Sequence, residues 1–216
     1  MSEIVPSEAV SSSRLVGIYD IIMAPLERFL LTRRRKSVIS QLEGDILEIG
    51  CGTGVNFPLY SASARVLACE PSPGMVKLAQ KRILNGKIAA RITIVETGIE
   101  DPELDSQIQP GKLDAVVCTL VLCTIPDPED ALLRISSWLK PGGKLILIEH
   151  IEPQNPLLRR LAHWLNPSWN KLADGCHLIR NTDRLWENSG FMPQSEQYFH
   201  FIIPFYQSVW VKPKAD

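Results

Sequence analysis

Ile46-Leu47-Glu48-Ile49-Gly50-Cys51-Gly52-Thr53-Gly54 is the stretch on which the fold turns. A short apolar strand runs straight into three glycines spaced G-x-G-x-G. Glycine carries no Cβ, so a ligand can approach the backbone of such a turn closely. Twenty positions beyond Gly50, Glu70 ends a second apolar run, Val66-Leu67-Ala68-Cys69. In nucleotide-binding α/β folds an acidic residue at about that spacing accepts the ribose hydroxyls. Strand, glycines and Glu70 together predict an adenosine-containing cofactor lying over the turn.

The spacing narrows the choice of cofactor. Nicotinamide and flavin proteins use G-x-G-x-x-G, with the pyrophosphate on a helix N-terminus. Here the third glycine comes one residue early, Asn56 stands two residues after it, and no Walker-type lysine follows. A nucleotide-binding oxidoreductase or regulator is therefore the weaker reading.

Outward from this turn the chain alternates strands and helices. Strands are expected at 45–50, 64–70, 91–96, 113–118 and 143–149, where continuous Ile, Val and Leu runs suit a parallel sheet buried on both faces. One helix starts after Ser72-Pro73, with Ser72 as N-cap and Pro73 at the first helical position. Another starts near Asp127-Pro128 and stops at Lys140-Pro141-Gly142-Gly143. At the C-terminus, 198–203 and 206–211 flank Pro204-Phe205 and read as an antiparallel hairpin. The fold class is α/β, a Rossmann-like sheet with helices on both faces, in one domain spanning 1–216. Within it, 1–43 reads as an N-terminal helical lid and 44–150 as the cofactor core. An acceptor cap follows at 151–180, then a C-terminal helix and hairpin at 181–216.

The 216 residues suit one domain with a real core, and 45% hydrophobic with 22% charged residues is ordinary for a globular protein. A net charge of −1 exerts no pull toward nucleic acid. The one charge run, Arg33-Arg34-Arg35-Lys36, reads first as a solvated helix face and second as a phosphate or lipid-headgroup contact. The segment from Met1 to Ser13 is polar and has no signal-peptide core, and no apolar run is long enough to span a membrane. Five cysteines, an odd number with no C-x-x-C pair, argue against a disulfide framework or a structural zinc site; no metal is expected, and a reducing cytoplasm is. Cys69 and Cys118 close apolar strands and read as small buried residues.

Ligands of open α/β sheets sit beyond the carboxyl ends of the strands, where strand order reverses. That groups Gly50, Cys51, Gly52, Gly54 and Asn56 with Glu70, Pro71, the segment Thr97-Gly98-Ile99-Glu100, and Cys118-Thr119-Leu120. Met75 is placed to cover an adenine face.

Ile46 to Gly54 resembles, position by position, the first motif of the class I S-adenosylmethionine-dependent methyltransferases. The resemblance implies S-adenosylmethionine as cofactor, Glu48 orienting the loop near its amino-acid end, Glu70 on the ribose, and a seven-stranded, mostly parallel sheet ending in a hairpin. Where the family places an acidic residue against the adenine amino group, this chain has Gly98, with Ile99 next. A narrower likeness, over roughly residues 44–191, is to the alkyl thiol S-methyltransferases and their bacterial relatives. It rests on Asp114-Ala115-Val116-Val117-Cys118-Thr119-Leu120-Val121-Leu122-Cys123-Thr124-Ile125, on Glu149-His150-Ile151, and on Asp174-Gly175-Cys176-His177-Leu178 with Trp164, Pro167 and Trp169. The chain's Tyr19-Asp20 and the segment near Glu27 are more similar to soluble small-molecule and phospholipid amine methyltransferases, where an N-terminal helix closes over the cofactor; Tyr19 would close the site.

Transfer from a sulfonium is an in-line displacement, so it depends mainly on positioning the nucleophile. A thiol acceptor, with a pKa near 8.5, must first lose its proton. His150, at the end of the fifth strand, is the first candidate base, and Asp174 and His177 are the second. Cys123 and Cys176 are not required as nucleophiles. Residues 156–165 carry Leu157, Leu158, Leu161, Trp164 and Leu165 at helical spacing, with Arg159 and Arg160 opposite. Three readings of this helix stay open: packing on the sheet, lining an apolar acceptor pocket, or lying on a membrane surface. The expected partner is a small-molecule acceptor, a thiol first and a phospholipid or small amine second, with no nucleic acid and with peripheral membrane contact left open.

Overall fold

The computed structural model describes residues 31–173, 175–200 and 203–214. Its centre is a seven-stranded sheet built from β1 (Gly44–Ile49), β2 (Ala64–Cys69), β3 (Arg91–Val95), β4 (Leu113–Thr119), β5 (Leu139–His150), β6 (Met192–His200) and β7 (Pro204–Val211). The spatial order is β3-β2-β1-β4-β5-β7-β6. β1 to β5 run parallel, and β7 is antiparallel to both β5 and β6.

Strict alternation along each central strand loads both faces. Leu47, Ile49, Cys69, Val116, Cys118, Leu145 and Leu147 point to one face. There they meet Leu104 of α3 (Pro102–Gln107) and Leu132, Ile135 and Trp138 of α4 (Pro128–Trp138). Ile46, Val66, Ala68, Ala115, Val117, Ile146 and Ile148 point to the other. Val38 and Ile39 of α1 (Thr32–Ile39) and Ala79 of α2 (Pro73–Asn85) cover them. A strand buried on both faces has no polar side to show, which is why these runs read as continuous apolar sequence.

Four expectations shift. The hairpin strands are longer, and Pro204 and Phe205 lie in β7 rather than in the turn. Pro204 is tolerated because it is the first residue of its strand, opposite His200. β6 begins six residues early because it is an edge strand, mostly exposed, with no apolar run to announce it. Lys140-Pro141-Gly142-Gly143 lies inside β5, where a register shift between the Leu113–Leu139 and Ala115–Lys144 pairs absorbs it. The C-terminal helix is a 3-10 segment, Thr182–Asn188.

α5 (Pro156–Leu172) runs past the expected end, through Pro167. Asn155 caps it, its side chain accepting from the N–H groups of Leu157 and Leu158. Packing on the sheet does not occur: Leu157, Leu158, Leu161, Trp164, Leu165, Trp169 and Leu172 are 39–79% exposed, and Ala162 is the buried residue of the helix.

Candidate active site

The strand order reverses between β1 and β4, and the carboxyl ends of β1 to β5 carry the polar residues singled out above. Gly50 and Gly52 adopt φ of +61° and +54°. A Cβ at Gly50 would lie 2.4 Å from Val121 Cγ2, whereas one at Gly52 would meet nothing within 4 Å. The space in front of Gly52 is therefore open. Its N–H donates to Glu70 Oε2 at 3.0 Å, and Ser72 N–H donates to Glu70 Oε1 at 3.0 Å. These bonds hold the Glu70 carboxylate against the loop. At the end of β3, Thr97 Oγ1 is buried with no hydrogen-bond partner among the described residues. An open cradle, an ordered carboxylate and an orphaned hydroxyl on adjacent strands fit an adenosine group.

Several candidates turn out to act beneath this surface. Glu48 is buried, accepting from Asn56 Nδ2 at 2.8 Å and from Tyr60 Oη at 2.8 Å. Arg35 Nη1 donates to Asn56 Oδ1 at 2.9 Å and to Thr119 Oγ1 at 2.6 Å. Asn56 also donates to Thr119 Oγ1 at 3.1 Å. The Asn56 side chain is thus spent on holding the loop from below. Burial pushes the Glu48 carboxyl up to about 7, although Tyr60, Asn56 and the Arg35 charge act in the opposite sense. Arg35 corrects the reading of the basic run as a solvated face: it is buried, while Arg33 and Lys36 are exposed. Arg34 stacks over the Phe199 ring, its guanidinium carbon 3.8 Å from the centroid. Only the tertiary contacts with Asn56 and with Thr119 of β4 separate Arg35 from its neighbours in the run.

Cys51 and Cys118 place their thiols in the core, so only their backbone faces the crevice. Ile99 likewise packs its side chain into the core. Glu100 is exposed beside Gly98, where an added Cβ would come within 2.8 Å of Glu100 Oε2. Asp101 caps α3 by accepting from Glu103 N–H. Pro71 is exposed and Met75 half-buried near the start of α2. Tyr19 and Asp174 lie outside the described residues.

Beyond β4 the backbone is strained at Leu120, with φ +58° and its N–H bound to Ile148 O at 2.8 Å. The chain then wraps a buried carboxylate. Glu149 Oε1 accepts from the N–H groups of Val121 (2.9 Å) and Leu122 (3.0 Å), and Oε2 from Cys123 N–H (3.4 Å). Burial raises the Glu149 carboxyl although these three donors favour its charged form. Arg180 closes the far side of the loop by donating to Leu122 O and Ile125 O.

His150 and two cysteines meet here. His150 Nε2 lies 3.0 Å from Cys176 Sγ, and Cys176 Sγ lies 3.7 Å from Cys123 Sγ. The Cys123 thiol beside it lowers the Cys176 thiol to about 4 against the effect of burial, with help from His150 and Trp169. Burial works against the charged His150 ring, but Cys176 and Glu149 hold its pKa above the usual range. His177 is not in this group: its Nε2 pairs with Asn170 Nδ2 at 3.1 Å, and its N–H donates to Cys123 O at 3.0 Å. No sequence spacing signals this cluster, because its members are 26 to 53 residues apart.

Comparison with known proteins agrees with this geometry. A methyltransferase domain family matches residues 47–147. Thiol S-methyltransferase TMT1B of Homo sapiens is 31% identical over 79% of this chain and 72% of its own length, and TMT1A of Homo sapiens is 32% identical over 82% and 72%. The chain belongs to the S-adenosylmethionine-dependent thiol S-methyltransferase family. TMT1B of Rattus norvegicus is 37% identical over 69% of this chain, which spans 60% of that relative's length. Among solved structures, a SAM-dependent methyltransferase of Methanosarcina mazei superposes with a TM-score of 0.63 at 16% identity, covering 81% of this chain and 95% of that one. That likeness concerns the fold alone. No helix among the described residues of this family member is long and apolar enough to cross a membrane.

Proposed function

We propose that this chain transfers the methyl group of S-adenosylmethionine to the sulfur of a small, apolar thiol. The observation that carries the reading is the Cys123–His150–Cys176 group, a soft, buried, sulfur-rich cluster at the carboxyl ends of β4 and β5, the two strands next to the glycine loop's β1 in sheet order. Sulfonium chemistry supplies an activated methyl group, so the protein's task is to align donor and acceptor and keep water out. Glu70 and Thr97 hold the adenosine, with Pro71, Met75 and the backbone of Gly98, Ile99 and Glu100 framing its base. The backbone at Gly50, Cys51, Gly52 and Gly54 passes beneath the donor, held by Glu48 and Asn56. Cys118, Thr119 and Leu120 carry the chain from donor to acceptor. The His150 group is where the acceptor sulfur arrives and loses its proton; His177, tied to Asn170, braces that loop.

The N-methylation of a phospholipid or amine is the less favoured reading, because the relatives at 31–37% identity bear thiol methyltransferase names and two sulfurs suit a soft acceptor better. The bare apolar face of α5, with Arg159, Arg160 and Lys171 on the same helix, is the surface through which we place peripheral membrane contact. Five free cysteines fit a reducing compartment such as the cytoplasm.

Mass spectrometry of products from thiols, amines and phenols, each incubated with the purified chain and S-adenosylmethionine, tests the acceptor. Methyl thioethers are expected. Methylated amines with no thioether would overturn the reading.

A further inference from the structure

Cys123, His150 and Cys176 reach one point from three separate segments: the loop after β4, the end of β5 and the loop after α5. Their Sγ, Nε2 and Sγ atoms all lie within 4.8 Å of one another. The residues are 1%, 6% and 9% exposed. We propose that these three side chains form a Cys2His site for Zn²⁺, with a fourth coordination position open to the acceptor thiol. The metal site stands on geometry alone; its catalytic consequence rests on the thiol-acceptor reading above.

The sulfur pair fits the ion, and the His150 ring must back away to join it: its Nε2 stands 3.0 Å from Cys176 Sγ, against about 3.5 Å for a nitrogen and a sulfur on one tetrahedral zinc. Two thiolates bound at about 2.3 Å to a tetrahedral zinc stand about 3.8 Å apart. The observed Sγ–Sγ separation is 3.7 Å. The donor set is soft, which selects zinc or cuprous copper over magnesium or calcium. Three protein ligands with a vacant fourth position is the arrangement of catalytic zinc; structural zinc is closed by four. The pocket is also held rigid. Glu149 pins Cys123 through its N–H, His177 N–H holds Cys123 O, and Cys176 N–H is bound to Ala173 O at 2.9 Å. Two thiolates and a neutral imidazole balance the charge of Zn²⁺, so the ion is buried without a net charge.

The chemistry closes without a redox partner. The acceptor R–SH binds zinc as R–S⁻ and releases its proton to water. A lone pair on that sulfur forms the new S–CH3 bond as the donor's S–CH3 bond breaks, and the breaking pair returns to the donor sulfur. A sulfonium and a thiol become two thioethers and one proton, and zinc stays divalent throughout. The methylated product, a neutral thioether, is a poorer zinc ligand than the thiolate, which favours its release.

The test is metal analysis of the purified chain, loaded with Zn²⁺ and passed through gel filtration, followed by cobalt substitution. About one zinc per chain is expected, lost in Cys123→Ser and Cys176→Ser and kept in Cys69→Ala, whose buried thiol lies outside the cluster. Circular dichroism of each variant checks folding. The Co²⁺ form of the unaltered chain, which needs no variant, should show sulfur-to-cobalt charge transfer and a tetrahedral visible band. That band should shift when 2-mercaptoethanol is added without methyl donor. A wild-type chain that retains no zinc and lacks the charge-transfer band overturns the proposal, as does undiminished zinc in both serine variants. Zinc-free protein that still makes thioethers at the same rate overturns the metal's catalytic role and leaves the thiol reading intact. Zinc-loaded protein that methylates amines alone keeps the metal site and removes the thiol reading.

Discussion

Gly50 and Gly52 share a left-handed backbone but differ in what lies beyond it. Gly50→Ala drives its methyl into Val121, and about 2 kcal/mol or more of stability should be lost in urea unfolding. At Gly52→Ala the surroundings are open, so only backbone strain of about 1 kcal/mol is expected. The added methyl would occupy the donor's place, and calorimetric titration should show S-adenosylmethionine affinity falling about tenfold or more, since about 1.4 kcal/mol is a tenfold change. Equal affinities for Gly52→Ala and the parent chain would remove the donor from that space. Glu48 sets a pH dependence. Its folded pKa, near 7, lies above its unfolded value, so the native state binds the proton more tightly. That contribution is complete below about pH 4.5 and is lost as pH rises through 7. Glu48→Gln should flatten this part of the stability–pH curve, measured by urea unfolding at each pH. A slope equal to the parent's would show that Glu48 titrates normally in the fold. The glycines and Glu48 were legible because their chemistry is local. Arg35 was not, since nothing in Arg33-Arg34-Arg35-Lys36 says which of four cations turns inward.

At the scale of the element, α5 is the one whose amphipathic pattern points the wrong way round for a core helix. Its side toward the protein is Ala162, Asn166 and Asn170, at intervals of four, while the leucines and tryptophans face out. Periodicity reveals that a helix has two faces and leaves open which of them is covered. The helix also outlasts Pro167, which removes one backbone donor but does not end an element whose other turns are intact. If the outer face meets lipid, the chain should co-sediment with vesicles containing anionic phospholipid, and Leu161→Ser/Trp164→Ser together should reduce the bound fraction about tenfold or more. Absence of sedimentation by the parent chain would remove the membrane contact. The hairpin teaches a related lesson: β7 is apolar and was visible, whereas edge strand β6 is polar and exposed, so its true start at Met192 carried no pattern.

At the scale of the molecule, two helical layers and one sheet hold the cofactor end and the sulfur cluster on a single carboxyl edge. Binding at that edge should stabilise the whole domain. At a concentration of S-adenosylmethionine about 100 times its dissociation constant, stabilisation of about 2.7 kcal/mol should raise the melting temperature by about 5–10 °C. NAD should leave it unchanged in the same thermal scan; a matching rise with NAD would overturn the cofactor reading. The sequence by itself determined the α/β class, the parallel core strands, the glycine turn with its acidic partner, and the family. These follow from local periodicity and fixed short spacings, which survive in one dimension. Only the tertiary structure decided that Arg35 is buried, that Asn56 works beneath the loop, and that His177 stands apart. It alone brought Cys123 and Cys176 to His150. Contacts between residues 26 to 53 positions apart are set by how strands are ordered and how the last loop folds back, and neither leaves a mark in neighbouring residues.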